Sequence, residues 1–300
     1  MSSKYLNTVL AAVEVGRPVN ALMGVAALLL GSAIVVGGFP SFIPFTSLVG
    51  IVVGGLLIVF SIMVVNDIVD MEADRVNVPW RPLPSGRLGV GLAWRLALAY
   101  TLLGLTCTFL IEPMPETTLI ALWFLALAHF YNFMGKRVLI VGNVIVAFLT
   151  AFPLVYGVFI ARHYLGPQWG PDDHLRVSIF WAMVFLSVLG REIAKGIVDV
   201  EGDRAVGSKT IANTYGESRA ALLSSFLYVA SIALSLLPPV LGLVNIWYIA
   251  IILPVDAMVA VEATRLARSP TRETALSHKK RVLALMLLSM IGLLVGSMDI

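Results

Sequence analysis

The feature that most constrains this chain is a stretch of 49 consecutive residues, 18–66, without a formally charged side chain. A helix needs about 20 apolar residues to cross the hydrocarbon core of a bilayer. The stretch therefore predicts two membrane-spanning helices, separated near residues 37–40 by a Gly-Gly-Phe-Pro turn. Residues 220–255 are also uncharged and predict two more spans, interrupted at Pro238-Pro239.

Shorter uncharged runs raise the predicted total to nine spans. They are placed at 18–37, 43–66, 90–111, 117–135, 138–161, 176–196, 219–238, 243–264 and 281–298. The predicted fold class is an all-α polytopic membrane protein with nine transmembrane helices. Residues 1–300 are predicted to be one domain with a weak internal repeat (roughly 18–135 and 138–264) followed by the last helix.

Composition excludes several other classes of protein. With 59% hydrophobic and 13% charged residues, the chain has about half the charge of a soluble domain. A single cysteine, Cys107, rules out a scaffold of disulfides within the chain. In the nine-span topology, 19 of the 21 Lys and Arg residues fall on one side, and only Arg162 and Arg176 on the other. The positive-inside rule then predicts a cytoplasmic N-terminus and an external C-terminus, in a cell membrane. The excess of basic residues thus reflects the orientation of the chain in the membrane. Neither nucleic-acid binding nor an obligate protein partner is predicted.

A cluster of oxygen ligands follows the second span. Asn66, Asp70 and Asp74 are spaced i, i+4, i+8, and Asp67 shares their helical stripe. Carboxylates this close repel one another and are costly at a membrane boundary, so the stripe needs cations. Oxygen ligands without Cys or His suit Mg²⁺, which binds through one or two carboxylates and substrate phosphates.

A second acidic cluster follows the sixth span, where Asp199 and Asp203 are spaced i, i+4. It lies 132 residues after the first (Asp67 to Asp199), on the same predicted side of the membrane. Two such clusters facing each other could hold two Mg²⁺ ions around a diphosphate. Solvated carboxylates at the ends of long helices are the alternative, but two clusters at equivalent positions favour the metal-binding hypothesis.

Basic residues accompany the first cluster. Arg75 and Arg81 lie in or before a stiff loop rich in Pro and Gly, and their guanidinium groups can donate paired hydrogen bonds to phosphate oxygens. The alternative is that both are ordinary positive-inside residues.

These motifs resemble those of the UbiA superfamily of intramembrane prenyltransferases. The resemblance rests on Asn66-Asp67-x-x-Asp70-x-x-x-Asp74, the Arg81-Pro-Leu-Pro-Ser-Gly loop, and Asp199-x-x-x-Asp203, and it covers nearly the whole chain. It implies a bundle around a central cavity with cytoplasmic cap loops. It also implies that Asn66, Asp70 and Asp74 bind one Mg²⁺ and that Asp199 and Asp203 bind the other, together holding a prenyl diphosphate donor.

The resemblance implies further substrate-binding residues. Tyr131 followed by Lys136 is typical of the family and suggests Lys136 as a diphosphate ligand; Arg137 is a further candidate, with snorkelling at a helix end as the alternative for both. The remaining candidates are Arg17 and Asn20 at the first span, Asn143 on the cavity wall and Lys195. Interhelical hydrogen bonding is the equal alternative for Asn143, and Arg17 or Lys195 is a candidate for an acceptor phosphate.

Within the superfamily the sequence is most similar to the branch that makes archaeal ether lipids, although Gly196 and Val198 stand where that branch carries acidic residues. The implied acceptor is lipophilic, namely the free hydroxyl of geranylgeranylglyceryl phosphate. An aromatic quinone precursor is the alternative acceptor, and an ion-coupled transporter is the alternative from a different class of protein. Transport sites usually lie near the bilayer midplane on broken helices, whereas these acids lie at helix ends.

Overall fold

The computed structural model describes residues 3–38, 41–110, 115–165, 170–205 and 207–298. The regular secondary structure in these ranges is helical, with no strand. The helices are α1 (Ser3–Glu14), α2 (Pro18–Val36), α3 (Phe45–Val69), α4 (Met71–Asn77), α5 (Val90–Thr108), α6 (Pro115–Phe133), α7 (Val141–Leu165), α8 (Pro171–Val198), α9 (Val200–Ala205), α10 (Ile211–Tyr215), α11 (Glu217–Ser235), α12 (Leu237–Val240), α13 (Ile246–Arg268) and α14 (Arg272–Gly296). A 3₁₀ turn, Gly135–Arg137, separates α6 from α7.

Within the described ranges, nine helices have at least 19 residues, and each overlaps one predicted span: α2, α3, α5, α6, α7, α8, α11, α13 and α14. Seven are long and apolar enough to cross a membrane, with α12 continuing α11 in one of them. The other two, α6 and α14, carry polar residues such as Glu116 and Arg272 in their first turns. The chain is a multi-pass helical membrane protein, and the count of nine crossings stays a prediction.

Apolar side chains on the outside of these helices agree with that class of protein. On α11, Leu222, Phe226 and Val229 are 60%, 66% and 58% exposed. Their spacing of four and three residues places them on one face of the helix. A face of this kind is stable in contact with lipid acyl chains.

Helix boundaries differ from the predicted spans where polar residues extend a helix beyond its apolar run. α14 begins at Arg272, nine residues before the predicted 281, because the Thr271 side chain accepts a hydrogen bond from the Thr274 backbone and caps the helix. α8 begins at Pro171 instead of 176, with proline at its first position. α1 is a separate helix before the first span.

The chain divides into two compact units. Unit 1 comprises residues 1–25, 44–138 and 201–209. In its interior α3 packs against α5 where Gly54 and Gly104 face each other. A Cβ on Gly54 would lie 3.3 Å from the Gly104 carbonyl oxygen, so the absence of side chains lets the two backbones approach closely.

Unit 2 comprises residues 26–43, 139–200 and 210–300. Its part of α2 crosses α7 at a second pair of glycines. A Cβ on Gly157 would overlap the Leu28 carbonyl, and one on Gly31 would overlap the Leu154 carbonyl. The Ser32 hydroxyl donates to the Gly157 carbonyl at 2.9 Å, which stabilises the crossing inside this unit.

Both acidic motifs fold as a long helix, a one-residue break and a short helix. α3 ends at Val69 and is followed by the break residue Asp70, whose φ and ψ are −87° and 2°. α8 ends at Val198 and is followed by Asp199, with −98° and 5°. Each break residue keeps a helical hydrogen bond, from Asp70 N to Asn66 O at 2.9 Å and from Asp199 N to Lys195 O at 3.2 Å. Asp70 and Asp199 are therefore the equivalent residues, 129 apart in sequence.

Candidate active site

The carboxylate of Asp67 is buried in the last turn of α3 and paired with Arg17. Asp67 is 2% exposed, and Arg17 Nη2 donates to its Oδ1. Arg17 reaches this position from the turn between α1 and α2, where its φ of 49° is uncommon for a residue other than glycine. Burial alone would lower the pKa of Arg17, but the carboxylates of Asp67, Asp74 and Asp70 raise it above its ordinary value.

The carboxylate of Asp74 lies on α4 and is paired with Arg81. Arg81 Nη1 donates to Asp74 Oδ2 at 2.6 Å and lies 3.7 Å from Asp67 Oδ1, so it joins the two carboxylates. Burial raises the pKa of Asp74 above its ordinary value, while Arg81 acts in the opposite direction.

The loop that carries Arg81 is compact, as the sequence predicts. Leu83 and Leu88 are buried beneath it, and the Ser85 hydroxyl donates to the Arg81 carbonyl at 2.6 Å. Arg87 ties the loop to α1 through two hydrogen bonds to the Glu14 carboxylate, at 2.7 and 2.9 Å. These contacts hold the Arg81 backbone in place, so that its side chain meets the two carboxylates.

The third carboxylate of the first motif, Asp70, is paired with Lys136. Lys136 Nζ donates to Asp70 Oδ1 from the 3₁₀ turn after α6. The Asp70 side chain is 29% exposed, more than those of Asp67 and Asp74. Asp70 is therefore the most accessible carboxylate of the motif.

Asn132, which is not among the predicted site residues, positions the side-chain amide of Asn66. Asn66 Nδ2 donates to Asn132 Oδ1 at 3.0 Å, and Asn132 Nδ2 donates to the Ile62 carbonyl at 3.3 Å. Asn132 is 1% exposed. With Nδ2 occupied in this way, Asn66 Oδ1 faces Arg17 Nη2 at 3.3 Å, on the side of the carboxylates. The signal available in the sequence was the i, i+4 spacing of Asn132 and Lys136.

The helix that carries Asp203 lies beside the first motif inside unit 1. The Gly202 backbone N–H on α9 donates to Asn77 Oδ1, at the end of α4, over 3.2 Å. Farther along the chain, the Ser208 hydroxyl donates to the Lys136 carbonyl at 3.3 Å. A Cβ on Gly202 would overlap the Asn77 amide, which explains why glycine stands in this motif. The structure thus brings α9, α4 and the Lys136 turn together.

The other predicted site residues fall into separate places. Arg75 is exposed and its Nη1 donates to Glu72 at 2.9 Å on the same helix. Tyr131 is partly buried in the last turn of α6, and Asn20 is exposed on α2. Asn143, Lys195 and Asp199 belong to unit 2. The side chain of Arg137 lies outside the described residues.

The oxygen ligands of the first motif fit a metal that is bound jointly with a phosphate. Among the described residues no group of three or more His, Cys, Asp and Glu side chains is arranged to enclose a metal ion. The carboxylates are balanced by Arg17, Arg81 and Lys136 instead. Mg²⁺ commonly uses one or two carboxylates and takes its other oxygens from water and substrate phosphates. This donor set meets that requirement.

The fold and the site define a class: a multi-pass helical membrane protein whose carboxylates and cations converge at the end of an apolar helix. Comparison with protein families gives the assignment. Residues 24–291 match the UbiA prenyltransferase family, and the chain belongs to that family.

Individual relatives agree with this assignment over nearly the whole length. The chain is 33% identical to the digeranylgeranylglyceryl phosphate synthase of Pyrococcus abyssi, over 95% of this chain and 96% of the relative. A solved structure of digeranylgeranylglyceryl phosphate synthase has a TM-score of 0.71 at 25% identity, covering 98% and 99% of the two chains. A UbiA homolog from Archaeoglobus fulgidus, solved with DMAPP and Mg²⁺, has a TM-score of 0.61 at 15% identity, covering 95% and 97%, which shows a common fold.

Proposed function

We propose that this protein transfers a geranylgeranyl group from geranylgeranyl diphosphate to the free hydroxyl of geranylgeranylglyceryl phosphate, in a reaction that depends on Mg²⁺. The relative from Pyrococcus abyssi carries the name of that activity. The lipid substrates suit a membrane-embedded enzyme, because the apolar chains of both can stay in a hydrocarbon environment.

The observation that carries the proposal is the convergence inside unit 1. Asp70, Asp74 and α9, which bears Asp203, lie together with Lys136 and Arg81. Acidic residues bind metal ions and basic residues bind phosphate oxygens. A site for a diphosphate with its metal ions needs both. A protein that only bound lipid would need neither.

Each group has a defined part in the reaction. Bound Mg²⁺ supplies Lewis acidity toward the diphosphate oxygens. Asn66, Asp67, Asp70 and Asp74 would hold one ion, and Asp199 and Asp203 a second. Lys136 and Arg81, with Arg75 and Arg137 as further candidates, stabilise the negative charge that grows on the diphosphate as its bond to C1 breaks.

The acceptor hydroxyl replaces the diphosphate at C1. Its hydroxyl oxygen bonds to C1 to form an ether, diphosphate leaves, and the hydroxyl proton passes to the diphosphate or to a motif carboxylate. Apolar helices exclude water, which would otherwise capture the allylic cation. Tyr131, Asn20 and Asn143 are proposed to line the substrate-binding region.

The proposed topology has nine crossings in a bundle around a central cavity, in a single domain of 1–300. The N-terminus and the loops carrying both acidic motifs are cytoplasmic, and the C-terminus is external. The asymmetry of Lys and Arg between the two predicted sides supports this orientation.

Acceptor selectivity is the decisive test. Purified protein with Mg²⁺ and geranylgeranyl diphosphate is offered geranylgeranylglyceryl phosphate or 4-hydroxybenzoate, and the products are identified by mass spectrometry. We expect an ether from the first acceptor and no product from the second. A product from 4-hydroxybenzoate alone would mean that the proposed acceptor is wrong while the proposed reaction class, prenyl transfer, is right. Absence of any transfer, together with ion flux through reconstituted protein, would favour the transporter.

A further inference from the structure

A second basic cluster lies in unit 2, before the second acidic motif. Arg191 and Lys195 are one turn apart on α8, and both contact the carboxylate of Glu192. Arg191 Nη1 lies 3.2 Å from Glu192 Oε1, and Lys195 Nζ lies 3.2 Å from Glu192 Oε2. The Glu192 side chain is only 11% exposed, so this one carboxylate fixes both cations in a partly buried position.

A third cation enters the cluster from α14. The start of α14 packs on the end of α8, where Arg272 Nε donates to the Val198 carbonyl at 3.3 Å. Lys279, two turns farther along α14, is partly buried within electrostatic range of Lys195, Asp199 and Arg191. Burial lowers the pKa of Lys279 to about 8, and the positive charge of Lys195 adds to the effect. Lys279 thus adds a third positive charge within electrostatic range of Glu192 and Asp199.

One donor in this cluster has no partner within the described structure. Arg191 Nε is buried and makes no hydrogen bond, while Nη1 of the same guanidinium is occupied by Glu192. A buried N–H without an acceptor is unfavourable. An oxyanion would satisfy it, because guanidinium groups bind phosphate through paired N–H donors.

From these contacts we propose that Arg191, Lys195 and Lys279 bind the phosphate monoester of the acceptor lipid. The inference rests on the proposed function. Lys195 precedes Asp199 by four residues, about 6 Å along a helix axis. In geranylgeranylglyceryl phosphate the phosphate and the free hydroxyl are on adjacent glycerol carbons. A phosphate held here therefore keeps the hydroxyl near the proposed metal ligand Asp199.

The cluster also distinguishes between substrates. An acceptor without a phosphate would leave Arg191 Nε unpaired and the cations uncompensated, so it would bind less tightly. The donor diphosphate is assigned to Lys136 and Arg81, on other elements of the chain. The acceptor and donor phosphates thus have separate basic residues.

Binding of the acceptor without donor tests the site independently of turnover. Wild-type protein in nanodiscs is titrated with geranylgeranylglyceryl phosphate and with its dephosphorylated alcohol. We expect the wild type to prefer the phosphate by on the order of tenfold or more, the size of one charge-assisted hydrogen bond. Lys279→Gln should remove most of this preference. Lys280→Gln, at the exposed neighbouring position, is the matched control and should keep it.

Steady-state kinetics separate the two phosphates. Lys279→Gln should raise the acceptor KM while the donor KM stays within about twofold. Equal wild-type affinity for the phosphate and the alcohol would overturn the inference, as would a rise in the donor KM alone. If the wild type prefers the phosphorylated lipid but forms no ether, the proposed reaction fails while the phosphate site stands.

Discussion

The two acidic motifs share a fold and differ in charge. Aligned on their helix breaks, residues 68–75 read Ile-Val-Asp-Met-Glu-Ala-Asp-Arg and residues 197–204 read Ile-Val-Asp-Val-Glu-Gly-Asp-Arg. The break residues, Asp70 and Asp199, have φ and ψ within about 11° of each other. The same sequence pattern thus produces the same interruption of the helix in both motifs.

The residues just before this shared segment have diverged. The first motif carries Asn66 and Asp67, and the equivalent positions of the second carry Lys195 and Gly196. The side-chain amide of Asn66 thus corresponds to the ammonium group of Lys195. The carboxylate of Asp67 corresponds to the single hydrogen atom of the Gly196 side chain. The first motif therefore concentrates metal ligands, whereas the second combines two carboxylates with a basic turn suited to an anion. Gly196 thus stands where the first motif has the carboxylate of Asp67.

The largest effect is expected from removing one carboxylate of each motif. Asp70→Ala and Asp203→Ala should each lower kcat/KM by about 10²–10³-fold, because each loses charge stabilisation of the leaving diphosphate. Radiolabelled prenyl transfer with saturating Mg²⁺ measures the loss. Glu72→Ala, which removes an exposed carboxylate on α4 between Asp70 and Asp74, is the control. Wild-type turnover by Asp203→Ala would mean that the second motif has lost the metal-binding role.

Arg17→Gln tests how the buried carboxylate of Asp67 is stabilised. We expect the free energy of unfolding to fall by about 2–3 kcal/mol, because Asp67 stays buried and, among the described residues, keeps Arg81 at 3.7 Å as its one ion-pair partner. Thermal unfolding in detergent measures the loss. Adding Asp67→Asn should recover much of it, since the uncompensated charge is then gone. An unchanged single variant would contradict the importance of this pair.

How far the sequence predicts this molecule depends on the range of the interactions involved. The long apolar runs predict the principal helices because hydropathy is a local property. The i, i+4 spacing of Asp70 and Asp74 likewise predicts a shared face. The contact of Gly202 with Asn77, by contrast, joins residues 125 apart and has no local signal. The helix breaks were missed because the motif residues are compatible with a continuous helix.

Gly202→Ala tests the contact that places the short helix of the second motif beside that of the first. The new methyl group would displace the Asn77 amide and break its hydrogen bond to the residue 202 backbone. We expect a loss of about 1–2 kcal/mol in the free energy of unfolding. Asn77→Ala makes room, so the double variant should lose less than the sum of the two single variants. Additive losses would show that the two positions do not interact.

Gly196→Ala should have the smallest effect, of opposite sign. A Cβ here would lie 3.7 Å from Thr210 Cβ and 3.9 Å from Ala212 Cβ, which is ordinary contact, so no steric requirement for glycine exists at this helical position. Alanine should raise the free energy of unfolding by about 0.5–1 kcal/mol, because glycine loses more backbone entropy on folding. Gly157→Ala is the matched contrast, since its Cβ would overlap the Leu28 carbonyl, and should be strongly destabilising. Destabilisation by Gly196→Ala as well would mean that packing, rather than the loss of a carboxylate, accounts for glycine at the position equivalent to Asp67.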